Sequence, residues 1–222
     1  MIIDILSLFP ECFRGPFDYS ILKRARDKGI LEINQIDIRD FAEGKHKKVD
    51  ERPFGGGPGM VMMPGPLCRA IRHVKKNDSH VVHLSPRGAV LNAKHCQRLA
   101  LLPHLILVCG HYEGIDQRAI DKEIDEEISI GDYVLTNGCL PASVVVDAVA
   151  RFIPGVLGHP DAAESDSFQN GLLEPPQYTS PVDFEGLKVP DVLRQGNHAL
   201  IEKWRKEKAI EVTRSTRPDL FA

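Results

Sequence analysis

Ser129-Ile-Gly-Asp-Tyr-Val-Leu-Thr-Asn-Gly-Cys-Leu-Pro-Ala142, taken with Arg151-Phe-Ile-Pro-Gly-Val-Leu-Gly158, is the stretch that orients the rest of the chain. A short apolar strand over 128–130 stops at Gly131, and a glycine turn follows. Leu140-Pro141-Ala142 then opens a helix, because proline suits a first turn whose N–H groups lack helical partners. That helix, over 142–152, is apolar and carries Arg151 near its end, where a cation also suits the helix dipole. Glycine at a strand end lets backbone N–H and C=O groups approach a bound molecule. Read physically, the stretch is a backbone-lined pocket for a small ligand.

Two further segments share this construction. Leu84-Ser-Pro-Arg-Gly88 and Cys109-Gly-His-Tyr-Glu-Gly114 end the strands expected over 80–84 and 105–109. In open α/β sheets, ligands sit beyond the carboxyl ends of the strands, where such loops converge. One strand-end glycine is ordinarily a turn, but three successive ones point to a single site. Strands over 2–9 and 31–38 and helices over 20–28, 67–76, 93–101 and 116–125 complete the alternation. Ser20 is placed to cap the first helix and Gly29 to end it. The pattern predicts an α/β fold with a largely parallel sheet. From Pro154 to Pro190, prolines and glycines read as irregular chain, and a long loop of that kind is functional or a linker. A charged helix over 197–208, around Trp204, belongs to a small helical carboxy-terminal module.

Composition narrows the function classes. The 222 residues are 42% hydrophobic and 27% charged, ordinary values for a chain with a packed core. No apolar run approaches the roughly 18 residues that span a bilayer, and Met1 to Pro10 reads as a strand and not a signal peptide. Five cysteines, none in Cys-x-x-Cys spacing, suit reduced thiols in a cytoplasm. The net charge of −3 does not advertise a nucleic-acid binder, so an RNA partner needs a local basic face. Lys45-His46-Lys47-Lys48 and the cations Lys203, Arg205, Lys206, Lys208, Arg214 and Arg217 are candidates; they fit a solvated face equally.

Competing chemistries lack their signatures. Glu51 to Met60 is glycine-rich but has neither the Gly-Lys-Ser/Thr ending of a P-loop nor dinucleotide spacing. It reads as a mobile loop, or as a lid or RNA-contacting loop beside the pocket. The nine histidines form no His-x-x-x-His pair beside a glutamate, which argues against a zinc hydrolase. No Gly-x-Ser-x-Gly elbow appears. Asp166, beside Ser167, reads on its own as a helix cap.

The ordered segments together resemble the bacterial tRNA (guanine-N1)-methyltransferases of the SPOUT class. The likeness runs from Ile2-Asp-Ile-Leu-Ser-Leu-Phe-Pro through Lys45 to Met60, Leu84-Ser-Pro, Cys109 to Asp116 and Ser129 to Ala142. It continues through Arg151 to Gly158, Asp166-Ser-Phe, Gly171-Leu-Leu, Gly196-Asn-His and Trp204-Arg. The resemblance implies a SPOUT-type, mostly parallel sheet with a deep trefoil knot and a small helical carboxy-terminal domain. It implies a knotted cofactor-binding domain over 1–158, a flexible linker over 159–182 and a tRNA-binding domain over 183–222. The cofactor is S-adenosylmethionine, with a magnesium requirement also reported for the family, and no metal-ligating residue is assigned. The partner is a tRNA with guanine 3′ of its anticodon (position 37), and the enzyme works as a cytoplasmic homodimer with its active site at the subunit interface.

Residue by residue, the resemblance makes Asp166 the general base for guanine N1 and Arg151 the stabiliser of charge on O6. Cofactor contacts fall to Leu84, Ser85, Pro86, Gly110, Tyr112, Glu113, Ile130, Gly131, Tyr133, Leu135, Gly138 and Pro141. Substrate contacts fall to Ser167, Gly57, Lys47, His198 and Arg205. Four positions depart from the pattern: His111 and Ser180 replace usual arginines, Asn137 a glycine and Cys139 a glutamate. Other readings are a related enzyme acting on ribosomal RNA or a ribose, or a binding protein that lost turnover through His111, Asn137 and Cys139. A nicotinamide dehydrogenase is disfavoured by the missing fingerprint.

Overall fold

The computed structural model describes residues 1–159, 163 and 165–221, and in it the alternation becomes one sheet clothed by helices. In chain order the elements are β1 (Ile2–Ser7), α1 (Ser20–Asp27), β2 (Glu32–Asp37), β3 (Asp50–Glu51), β4 (Val61–Met62), α2 (Pro64–Val74) and β5 (Ser79–Val90). They continue with α3 (Ala93–Ala100), β6 (His104–Cys109), α4 (Gln117–Glu123), β7 (Glu126–Ser129) and α5 (Cys139–Ala150). The five long strands pair in parallel, in the order β2-β1-β6-β5-β7. These elements belong to the first of two compact units, Met1–Pro160; the second is Asp161–Ala222. Among the described residues no helix is long and apolar enough to cross a membrane.

The central strand explains the layering. All six residues of β6 are buried, as expected of a parallel strand covered on both faces. Successive side chains point to opposite sides. Leu105, Leu107 and Cys109 join Ile3, Ile5, Val82 and Leu84 beneath α1, α3 and α5. Ile106 and Val108 join Leu6 and Val81 beneath α2 and α4. Helix α5 buries Ala142, Val145, Val146, Val149 and Ala150, the spacing that keeps one helical face inward.

Asp4, the one charge inside the first apolar run, is buried with its partners supplied. Its carboxylate accepts from Asn34 Nδ2 at 2.9 Å and contacts His104 Nε2 at 2.9 Å. His104 Nδ1 in turn lies 2.7 Å from Ser79 Oγ. The chain of contacts crosses β2, β1, β6 and β5, so polar groups specify the strand order as well as packing does.

Several boundaries differ from expectation for identifiable reasons. Ser20 does not cap α1: Tyr19 holds the cap position without a side-chain hydrogen bond, and Ser20 itself has φ 54°. Strand β5 runs to Val90 instead of stopping at Leu84, because residues 85–88 form a register shift after which Ala89 again faces Ile128. Gly88 makes this possible, since a Cβ there would fall 2.4 Å from the backbone of Glu127. Helix α5 begins at Cys139, three residues early, with Pro141 inside its first turn.

In the second unit, a hairpin of β8 (Asp183–Phe184) and β9 (Leu187–Lys188) lies within the stretch expected to be irregular. Its two-residue turn, Glu185-Gly186, has φ 54° and 88°, the left-handed pair that favours glycine and matches strand twist. Helix α6 runs from His198 to Thr216, longer than the expected 197–208, and Asn197 caps it by accepting from Leu200 N. The linker expected over 159–182 contains Pro160, Asp161, Ala162 and Glu164, which lie outside the described residues.

If the Asp4–His104–Ser79 chain holds the sheet, His104→Leu strips one partner from two polar groups. Denaturant unfolding should then show a loss of about 1–3 kcal/mol with an unchanged m-value. A variant as stable as the parent would mean that packing alone sets the strand order.

Candidate active site

The carboxyl ends of β5, β6 and β7 surround a cavity of about 360 Å³. All twelve residues expected to contact the cofactor border it: Leu84, Ser85 and Pro86 from the β5 end, and Gly110, Tyr112 and Glu113 after β6. The stretch after β7 supplies Ile130, Gly131, Tyr133, Leu135, Gly138 and Pro141. His83, Arg87, Thr136 and Asn137 also line the wall. His83 carries no sequence signal for this position, because strand alternation does not tell a pocket-facing side chain from a core one. It is buried with Nδ1 2.9 Å from Glu127 Oε1, and burial pushes its pKa below the usual imidazole range despite that carboxylate.

Two glycines hold the loops at contact distance. A Cβ on Gly138 would sit 2.7 Å from Cys109 Cα and 2.9 Å from Gly110 N, so no side chain fits. The Gly138 N–H donates to Gly110 O at 2.8 Å, joining the two loops backbone to backbone. Gly131 has φ 148°, and a Cβ there would meet the Tyr133 ring at 2.5 Å. Tyr112 takes the left-handed region at φ 57° despite its bulky side chain, a strain of the kind that concentrates at binding sites.

The glycine-rich segment is anchored to the second loop. Strands β3 and β4 pair on either side of it, and Gly55, Gly56, Gly57 and Gly59 all have φ between 77° and 118°. Glu113 N donates to Met60 O at 3.0 Å, and Met62 N to Gly114 O at 2.9 Å. Its anchors therefore reach the pocket wall, while Gly57 and the tip, with Phe54, are exposed. Lys47 is also exposed and pairs with Asp40 at 2.8 Å.

His111, Asn137 and Cys139 meet beneath this wall. Cys139 Sγ lies 3.2 Å from Ser7 Oγ and 4.0 Å from His111 Nε2, while Ser7 Oγ lies 3.2 Å from His111 Nε2. Asn137 Oδ1 accepts from Cys139 N at 2.9 Å. The neighbouring Cys109 thiol, with His111 and Ser7, holds the Cys139 pKa down to about 4 against the opposing effect of burial. Burial raises Cys109 well above the usual thiol range.

The remaining candidates divide between the two units. Arg151 is the half-buried C-cap of α5 in the first. Asp166 and Arg205 belong to the second, where they border one cavity of about 740 Å³ together with Glu174, Glu202 and Lys206. Ser167 Oγ accepts from Glu174 N at 3.0 Å. Leu173 N donates to the buried Thr213 Oγ1 at 2.8 Å, which ties this segment to α6. His198 opens α6 on an exposed surface and does not border that cavity. Among the described residues no three His, Cys, Asp or Glu side chains are grouped to hold a metal ion.

A family model described as tRNA (Guanine-1)-methyltransferase TrmD matches residues 1–222. A protein of Protochlamydia amoebophila named tRNA (guanine-N(1)-)-methyltransferase is 64% identical over 222 residues, all of both chains. One of the same name from Dictyoglomus turgidum is 56% identical over 219 residues, 99% of this chain and 89% of that one. One from Chlamydia abortus is 58% identical over 221 residues, and there this chain spans 62% of the relative's length.

The thiol cluster makes a pH prediction. A lowered thiol pKa means that Cys139 is a thiolate at neutral pH. Its contribution to stability is present above the ordinary thiol range and declines as pH falls towards about 4. Thiolate ultraviolet absorbance of the folded protein should therefore persist at pH 7, fade towards pH 4 and be absent in Cys139→Ser. Absorbance that appears only in the ordinary thiol range would contradict the assignment.

Proposed function

The chain belongs to the tRNA (guanine-1)-methyltransferase TrmD family, and on that premise we propose that it methylates N1 of the guanine 3′ of the anticodon in tRNA, position 37, using S-adenosylmethionine. The observation that carries this reading is the single cavity bordered by three glycine-bearing strand ends. Gly110, Gly114, Gly131 and Gly138 on its walls leave backbone N–H and C=O groups open to a ligand, which suits an adenosine, whose donors and acceptors face many ways. Cradling by Leu84 to Pro86, Gly110 to Glu113 and Ile130 to Pro141 orients the ligand and excludes water around it. The cofactor supplies a methyl group already activated on a sulfonium, so alignment of the nucleophile provides much of the catalysis.

The guanine N1 carries a proton and is a poor nucleophile until it leaves. Asp166 takes that proton as general base. Arg151 stabilises the negative charge that then develops on O6, an electrostatic role of the oxyanion-hole kind. The base must leave its stack to reach these groups. Ser167, Gly57, Lys47, His198 and Arg205 contact the tRNA, and the cations among them engage phosphates.

The SPOUT reading adds a trefoil knot over 1–158, a linker over 159–182, a tRNA-binding domain over 183–222 and a homodimer with shared active sites, acting in the cytoplasm. Helix α5 supports the dimer: besides its buried face it leaves the apolar Leu140 62% and Val144 46% exposed, beside the exposed Asp147. Exposed large apolar side chains on one helix face suit a contact with a second copy.

The test of the catalytic assignment is Asp166→Ala. It should lower kcat for methyl transfer to unmodified tRNA by about 10²–10⁴-fold while leaving S-adenosylmethionine affinity within about twofold of the parent. Retained turnover would remove Asp166 from the mechanism.

A further inference from the structure

His83 is a buried titratable side chain on the cavity wall that methyl transfer leaves without a role. It stands on β5 one residue before Leu84. Its Nδ1 lies 2.9 Å from Glu127 Oε1 on the neighbouring β7, a carboxylate that Arg87 Nη2 also approaches at 3.5 Å. A carboxylate oxygen accepts, so Nδ1 carries the imidazole proton, and the partner of one ring nitrogen sets the state of the other. Burial keeps the ring neutral at pH 7, which leaves Nε2 as a bare acceptor.

That acceptor faces the ligand side. A Cβ on Gly110 would stand 3.1 Å from Nε2, so the missing side chain at the β6 end leaves its lone pair uncovered. Among the described residues Nε2 has no hydrogen-bond partner, and it is not sealed away from the cavity that His83 and Gly110 both border. A neutral, oriented acceptor on a buried wall is built to read a donor on the bound molecule.

We propose that His83 Nε2 accepts a hydrogen bond from a ribose hydroxyl of the adenosyl ligand, with Glu127 as the positioning residue that fixes the tautomer. The proposal rests on the cofactor reading above. S-adenosylmethionine carries three kinds of donor, and the wall sorts them. The adenine amino group lies beside a ring acceptor, a pair that backbone C=O and N–H groups match together. The methionine ammonium is a cation, which the Glu113 carboxylate on the same wall suits better than a neutral ring. A ribose hydroxyl needs a single acceptor, and the imidazole supplies it. A ligand without that hydroxyl leaves the acceptor unpaired, which is how such a site discriminates.

The experiment measures calorimetric affinities of the full chain for S-adenosylhomocysteine and for its 2′-deoxy and 3′-deoxy analogues. One analogue should bind about tenfold or more weakly than S-adenosylhomocysteine, a change of about 1.4 kcal/mol. In His83→Phe that difference should shrink to within about twofold, because ligand group and side chain are coupled. In His83→Gln, whose amide oxygen can reach the Nε2 position, the discrimination should return. Nitrogen-15 NMR of the unsubstituted protein, which depends on no variant folding, should show the proton on Nδ1 and an Nε2 resonance that moves when S-adenosylhomocysteine binds. Equal affinity for all three ligands, a difference that persists in His83→Phe, or a proton on Nε2 overturns the proposal. An unsubstituted protein that binds no S-adenosylhomocysteine overturns the cofactor reading itself, and the proposal with it.

Discussion

The contact between the backbones of Gly138 and Cys109-Gly110 is the constraint on which the candidate site depends. Nothing larger than a hydrogen atom fits on Gly138, and its N–H is already given to Gly110 O. The stretch after β7 is thereby pressed against the end of β6, and the start of α5 is fixed with it. Parallel strands bring their carboxyl ends to the same edge, but only this close approach turns neighbouring loops into a closed wall. The 2.7 Å clearance also explains why the glycine stands at the entry to an apolar helix and not in its interior.

The same contact sits above a group of side chains that are distant in sequence. His111, Asn137 and Cys139 lie up to 28 residues apart in sequence, yet they meet with Ser7 in one hydrogen-bonded group. Ser7 Oγ contacts both the His111 ring and the Cys139 sulfur, and Asn137 Oδ1 accepts from Cys139 N, so the three side chains are linked through one another beneath the pocket wall.

Much of the fold was legible because its signals are local. The apolar run of β6, the apolar face of α5 and the glycines after each central strand could be read directly and point to three converging loops, whereas the twelve pocket residues came from the family resemblance. What escaped was non-local or cooperative. The extension of β5 past Leu84 depends on Gly88 meeting the Glu127 backbone, which no window of sequence contains. The Asp4–His104–Ser79 chain unites residues a hundred positions apart. His83 reaches the pocket only because its strand ends there. The Glu185-Gly186 hairpin did carry a local signal, but the surrounding prolines outweighed it. Asp166 and Arg205 share a cavity that their 39-residue separation (205 − 166) conceals.

The most direct measurement is methyl transfer from labelled S-adenosylmethionine to two unmodified tRNA transcripts that differ only in the base 3′ of the anticodon, guanine or adenine. Label on the guanine transcript alone, mapped to N1, is the predicted result. Label on neither transcript, or equal label on both, from a protein that binds S-adenosylmethionine would contradict the proposed substrate.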